Sequence, residues 1–234
     1  MTALRHDAPS SREASEGRRT AAAPVRRPVL ARVGRWVVLA VVLVLALTVG
    51  TMYVKDGSKL AGGAQQFSPA KFAQANFAKV QDGITKKAVP AAALAAALKK
   101  DPAGAAKKYA APVAGAPGPE FAVSFTGTVG KGDAGIYPVT VAGVPKTLLI
   151  RIQTGPAING TDLRDATGLY SFGQFTNQID YQNAAAGLND ALKQRVLAKL
   201  DPAHLQGKTV SVSGAFQLIN PDAWLVTPAR LEVR

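Results

Sequence analysis

The chain has 234 residues with no cysteine, two histidines and a net charge of +13. No disulfide framework, thiolate metal site or thiol nucleophile is therefore available, and His6 and His204 lie too far apart in sequence to indicate a dyad or zinc cluster. The charge divides as +5 over residues 1–35, +6 over 55–120 and +2 over 121–234, so the C-terminal half lacks the footprint of a phosphate-backbone binder and nucleic acid is not an expected partner.

Residues 1–35 are rich in Arg, Ala, Ser and Pro and hold too few large apolar side chains to order themselves, which predicts a basic disordered tail. Residues 36–54, WVVLAVVLVLALTVGTMYV, form an uncharged run of nineteen residues. As a helix this run spans about 28 Å, close to a hydrocarbon core. Trp36 and Tyr53 stand at its ends, and Arg26, Arg27, Arg32 and Arg35 precede it. The arginine excess predicts a signal anchor with a cytoplasmic N-terminus and an extracytoplasmic remainder. A cleaved signal peptide has a shorter apolar core and a small-x-small site, which VGTMYVKDG does not offer.

Residues 55–119 read as a helical neck with a Pro/Gly linker. Ser68-Pro69 is a cap followed by proline at the first helical position, and Phe72, Ala75, Phe77 and Val80 are the expected apolar contacts. Pro90 opens an alanine-rich helix, and Asp101-Pro102 repeats the cap signature for a helix reaching about Tyr109. The stretch from 110 to 119, rich in Pro and Gly, is the linker.

From Phe121 the period changes to two. Phe121, Val123 and Phe125 mark a first strand, Ile136 to Val141 a second, and Leu148, Ile150 and Ile152 a third. Residues 183–200 return to helical spacing, with Leu188, Leu192, Val196 and Leu200 in one row. Val210, Val212 and Phe216 give a fourth strand. Trp224, Val226, Leu231 and Val233 give a fifth, with Pro228 marking an edge or a bulge. Three strands, a helix and two strands is the order of the five-stranded oligonucleotide/oligosaccharide-binding (OB) barrel. The expected class is α+β: a transmembrane helix, a helical neck, then an OB-like domain over 120–234 with its helix between the third and fourth strands. A generic α+β sandwich is the alternative.

Two stretches carry polar chemistry. In GPAINGTDLRD, residues 155–165, Arg164 lies between Asp162 and Asp165. An arginine can hold a carboxylate bidentately, so the group reads either as an ion-paired loop lock or as a ligand site. In SFGQFTNQIDY, residues 171–181, the aromatics Phe172, Phe175 and Tyr181 interleave with Asn177 and Gln178. Such a set can stack on and hydrogen-bond a sugar, or else close one end of a barrel. The candidate ligand-binding residues are Arg164, Asp165, Phe172, Phe175, Asn177 and Gln178. No catalytic residue, metal ligand or cofactor is expected, and the reading is of a non-enzymatic protein.

The segments LKKDPAGAAKKY and IQTGPAINGTDLRDATGLYSFGQFTNQIDY, with LQGKTVSVSGAF and VTPARLEV, resemble a bacterial family of predicted periplasmic lipoproteins, domain of unknown function 2291. The family pattern GP-x-I-x-GT-x-LRDA and F-x-x-F-x-NQI-x-Y is met residue for residue. The resemblance implies an exported, membrane-tethered protein, with the cytoplasmic membrane and components of a sugar ABC transporter as partners. It implies no activity and no cofactor. The chain departs from the lipoprotein pattern in having no lipobox cysteine, so its tether is expected to be the helix at 36–54.

Overall fold

The computed structural model describes residues 38–44, 66–113, 115 and 117–234, and the chain divides into two units, Met1–Ala64 and Gln65–Arg234. In the first unit, residues 38–44 are helical (α1), with Val38, Leu39 and Leu43 exposed. The rest of the expected membrane segment 36–54 lies outside the described residues, as do the tail at 1–35 and residues 55–65. Among the described residues, no helix is long and apolar enough to cross a membrane.

In the second unit, helix α2 spans Pro69–Lys87. The Ser68 side chain accepts from Lys71 N, and Pro69 occupies a first-turn position where its missing N–H has no consequence. The buried face of α2 is Ala73, Phe77, Val80 and Ile84. Ala75, expected on that face, is exposed instead, and Phe72 is half-buried. The spacing of four, three and four residues fits a 3.6-residue turn, whereas Ala75 lies about 160° round the helix from Ala73 and about 140° from Val80. Strand β1 (Val89–Pro90), helix α3 (Ala91–Lys100), helix α4 (Pro102–Tyr109) and strand β2 (Ala110–Ala111) follow. Asp101 ends α3 and caps α4 by accepting from Gly104 N at 2.9 Å.

The remaining strands are β3 (Glu120–Val129), β4 (Ile136–Val141), β5 (Leu149–Gln153), β6 (Thr209–Gln217) and β7 (Ala223–Val233). Strand β3 pairs antiparallel with β4 and β6, β4 with β5, and β6 with β7, while β5 and β7 are parallel. This ring of pairings closes a five-stranded barrel, so no central strand is left as an edge. Helices α5 (Asp162–Asp165) and α6 (Gln178–Arg195) stand between β5 and β6 in chain order.

The two faces of the strands serve two cores. Inward, Phe121, Val123, Phe125, Val210, Val212, Phe216, Ile150, Ile152, Trp224 and Val226 fill the barrel. Phe216 stacks on Trp224 with ring centroids 4.6 Å apart. Outward, β3, β6 and β7 present Ala122, Ala215 and Ala229 to α2 and α6. Small side chains there let a helix lie close against the sheet. Pro228 faces Gly214 at a register shift that leaves Ala229 as the extra residue, so the proline marks a bulge within a continuous β7 rather than an edge. Gln81 of α2 donates to the Ala229 carbonyl at 2.7 Å, and Asp82 pairs with Arg230 at 2.8 Å, which ties α2 to this bulge.

Residues 66–119, read from sequence as a neck, thus fold within the same unit as the barrel. Gly187 makes the α2–α6 contact possible: a Cβ there would stand 2.4 Å from the Pro69 carbonyl oxygen.

Candidate functional site

Strand β5 ends at Gln153, and the chain leaves the barrel through Gly155-Pro156, a cis peptide. It then makes a single helical turn, α5. The Thr161 carbonyl accepts from Arg164 N at 2.9 Å and Asp165 N at 3.0 Å. The Thr161 side chain makes no cap, so the backbone alone closes this turn. Leu163 anchors it in the outer core, and Arg164 and Asp165 are themselves buried.

Arg164 and Asp165 pair bidentately, Nε to Oδ1 at 2.7 Å and Nη2 to Oδ2 at 2.8 Å. Nη1 donates to the Tyr181 carbonyl at 2.8 Å, and the guanidinium lies over the Tyr181 ring at 3.4 Å from its centroid. The Tyr181 hydroxyl donates to Asp165 Oδ1 at 3.3 Å. One arginine therefore joins α5 to the first turn of α6.

Asp162 belongs to a second network. Gln153 Nε2 donates to Thr227 Oγ1 at 2.6 Å, and Thr227 Oγ1 donates to Asp162 Oδ2 at 2.5 Å. Gln153 also holds Asn159 through both its backbone groups, and Asn189 of α6 donates to the Gly160 carbonyl at 3.0 Å. The crossing from barrel to helix is thus fixed by side chains from β5, β7 and α6.

Glu120, at the start of β3, is 1% exposed. Its Oε1 accepts from Gln217 Nε2 at 2.9 Å, while Oε2 has no partner among the described residues. Burial, reinforced by the charges of Asp162 and Asp165, pushes its carboxyl up to about 8 against the pull of Gln217 and Arg164. Burial, with Asp165, likewise raises Asp162 to about 6, although Thr227 and the Gln217 backbone favour its charged form. Of the three carboxyls, Asp165 holds the arginine, while burial and the neighbouring carboxylates raise the proton affinity of Glu120 and Asp162.

An open pocket of about 560 Å³ adjoins this group. Arg164, Asp165, Phe172, Gln178, Tyr181 and Gln217 line it together with Val113, Gly115 and Pro117 of the linker. Four of the residues expected to bind ligand, Arg164, Asp165, Phe172 and Gln178, meet there. Phe175 and Asn177 do not. Phe175 packs into an aromatic cluster with Phe67, Phe72 and Tyr181. Asn177 caps α6, accepting from Asp180 N at 2.8 Å. Phe172 is 51% exposed and touches Tyr181 edge-on, so it does not close the barrel. His204 is exposed and pairs with Asp201.

Glu120, Gln153, Asn189, Gln217 and Thr227 escaped the sequence reading. Each is a lone polar residue inside a strand or helix, with its partner 29 or more residues away for all but the Gln153–Asn159 contact. No local motif marks them.

No curated protein matches this chain. The crystal structure of an OB-fold protein from Thermotoga maritima is similar with a TM-score of 0.60 at 22% identity, covering 73% of this chain and all of that one. At that identity the likeness shows the fold alone. The family model described as predicted periplasmic lipoprotein, domain of unknown function 2291, matches residues 40–232. The closed five-stranded barrel agrees with the OB neighbour, and the 234 residues hold no cysteine to carry a lipid. With residues 40–232 matched, well over half of its length, this chain belongs to the family of predicted periplasmic lipoproteins of domain of unknown function 2291.

Proposed function

We propose that this chain is a non-enzymatic accessory protein, tethered to the outer face of the cytoplasmic membrane by residues 36–54, and that it serves a sugar ABC transport system. The observation that carries the non-enzymatic reading is the engagement of Arg164. Its guanidinium bonds Asp165 and the Tyr181 carbonyl, so the charged centre of the family motif holds the scaffold together. The hydroxyl and the carboxylate that meet in this pocket, Tyr181 and Asp165, are bonded to each other and Asp165 is bonded to Arg164, which favours a scaffold role. The partner class follows from the family resemblance alone.

The reading is tested by crosslinking the full-length protein in its native membrane and identifying what it captures. Recovery of a sugar permease or solute-binding protein, lost on deletion of residues 66–234, is the expected result. Capture of no transport component from cells growing on any transported sugar overturns the transport role. The tether is tested by alkaline carbonate washing, which is expected to leave the protein in the membrane pellet.

A second reading is favoured by the pocket itself. Arg164, Asp165, Gln178 and Gln217 offer polar groups beside Phe172 and Tyr181, a combination suited to a sugar or oligosaccharide. Calorimetry of the full-length protein against a sugar panel tests it. Heat that saturates with one sugar and disappears in Gln178→Ala is expected, and no heat with any sugar removes this reading.

A further inference from the structure

A separate hollow of about 200 Å³ opens between α3, the β4–β5 loop and the β6–β7 turn. Drug-sized sites run to roughly 300–1,000 Å³, so this one admits only a small molecule. Leu98, Leu148 and Leu218 supply apolar walls, and Trp224 lines it as well. The Trp224 ring is held by stacking on Phe216, and its buried Nε1–H has no acceptor among the described residues.

Two opposite charges stand on the same lining, Lys99 at the end of α3 and Asp222 in the β6–β7 turn. They do not pair with each other, and neither makes an ion pair with any described residue. An apolar recess bearing an unpaired cation and an unpaired anion is complementary to a small molecule that carries both charges on an apolar body. The geometry points to a binding site for a free α-amino acid with an apolar side chain, the side chain entering among the three leucines. Lys99 answers the carboxylate, and Asp222 answers the ammonium. This site is independent of the pocket beside Arg164 and of the transport reading.

The test uses the purified full-length protein in a Trp36→Phe background, so that the fluorescence reports Trp224. L-leucine, 4-methylpentanoic acid, 3-methylbutylamine and glycine are titrated in parallel. The expected result is a saturable change with L-leucine and affinities about tenfold or more weaker for the three analogues, each of which lacks one recognition element. Lys99→Met and Asp222→Asn each weaken L-leucine by about tenfold while keeping the wild-type circular dichroism. Both positions are exposed, so these variants are expected to fold. The absence of a saturable response to millimolar L-leucine overturns the proposal. So does equal binding of 4-methylpentanoic acid, which would make the hollow an unselective apolar recess, or unchanged affinity in both variants.

Discussion

Arg164 and Asp165 are neighbours in the chain, yet their side chains turn onto each other as a buried bidentate pair, with side chains 6% and 3% exposed. Removing the arginine leaves Asp165 as an uncompensated buried charge and frees the Tyr181 carbonyl. Arg164→Ala is expected to lower unfolding stability by about 3–5 kcal/mol, as for other broken buried pairs. Arg164→Lys keeps the charge but not the fork, and is expected to lose about 1–3 kcal/mol. Urea denaturation of both variants checks the order. Equal stability of wild type and Arg164→Ala would return the arginine to the role of a ligand group.

Thr227 joins the second network by accepting from Gln153 and donating to Asp162. Thr227→Val keeps the shape and deletes both bonds. A loss of about 1–3 kcal/mol is expected from the orphaned groups. The Asp162 carboxyl, which Thr227 now holds down, is expected to titrate higher still. Thermal melting with carboxyl titration by NMR measures both effects.

Stability should fall as the solution becomes more alkaline. Glu120 releases its proton near 4.5 when unfolded but near 8 when folded. Between those values the folded chain holds a proton that the unfolded chain has lost, so this contribution is complete below about 4.5 and gone above about 8. Asp162 adds a similar decline between 3.8 and about 6. Glu120→Gln keeps an acceptor for Gln217 and cannot ionise. Its melting temperature is expected to vary less with pH, and at about pH 8.5 it should exceed wild-type stability by something on the order of 3 kcal/mol. Parallel melting profiles for the two proteins would refute this.

Gly187 tests the packing of α2 against α6. Alanine is normally favoured over glycine in a helix by about 1 kcal/mol. Here the added methyl would meet the Pro69 carbonyl oxygen at 2.4 Å, a backbone atom that cannot step aside alone. Gly187→Ala is expected to destabilise the protein by about 1–3 kcal/mol in spite of the propensity gain. Chemical denaturation gives the sign directly.

Much of the fold was legible because it rests on local periodicity. The alternation of Phe121, Val123 and Phe125 is set by the pleat, and the Ser68-Pro69 and Asp101-Pro102 signatures by orphan amides at helix starts, so each is written within a few residues. The order of strands that follows is enough to indicate a barrel. Even Pro228 carried its bulge as one of two readings, because a residue without an N–H cannot stand in an unbroken ladder.

Tertiary structure alone decided what the polar residues do. Phe172 and Phe175 look alike in sequence, but one is exposed beside a pocket and the other joins an aromatic cluster, since their surroundings come from α2 and the linker. Ala75 and Ala73 are likewise indistinguishable until α2 meets the alanine face of the barrel. Glu120 carries no local sign that it is buried: its shifted proton affinity arises first from burial and then from Asp162 and Asp165, more than forty residues away, all brought about by closure of the sheet. Period and capping are short-range and can be read along the chain; desolvation and charge coupling depend on distances in space, which exist only once the barrel has closed.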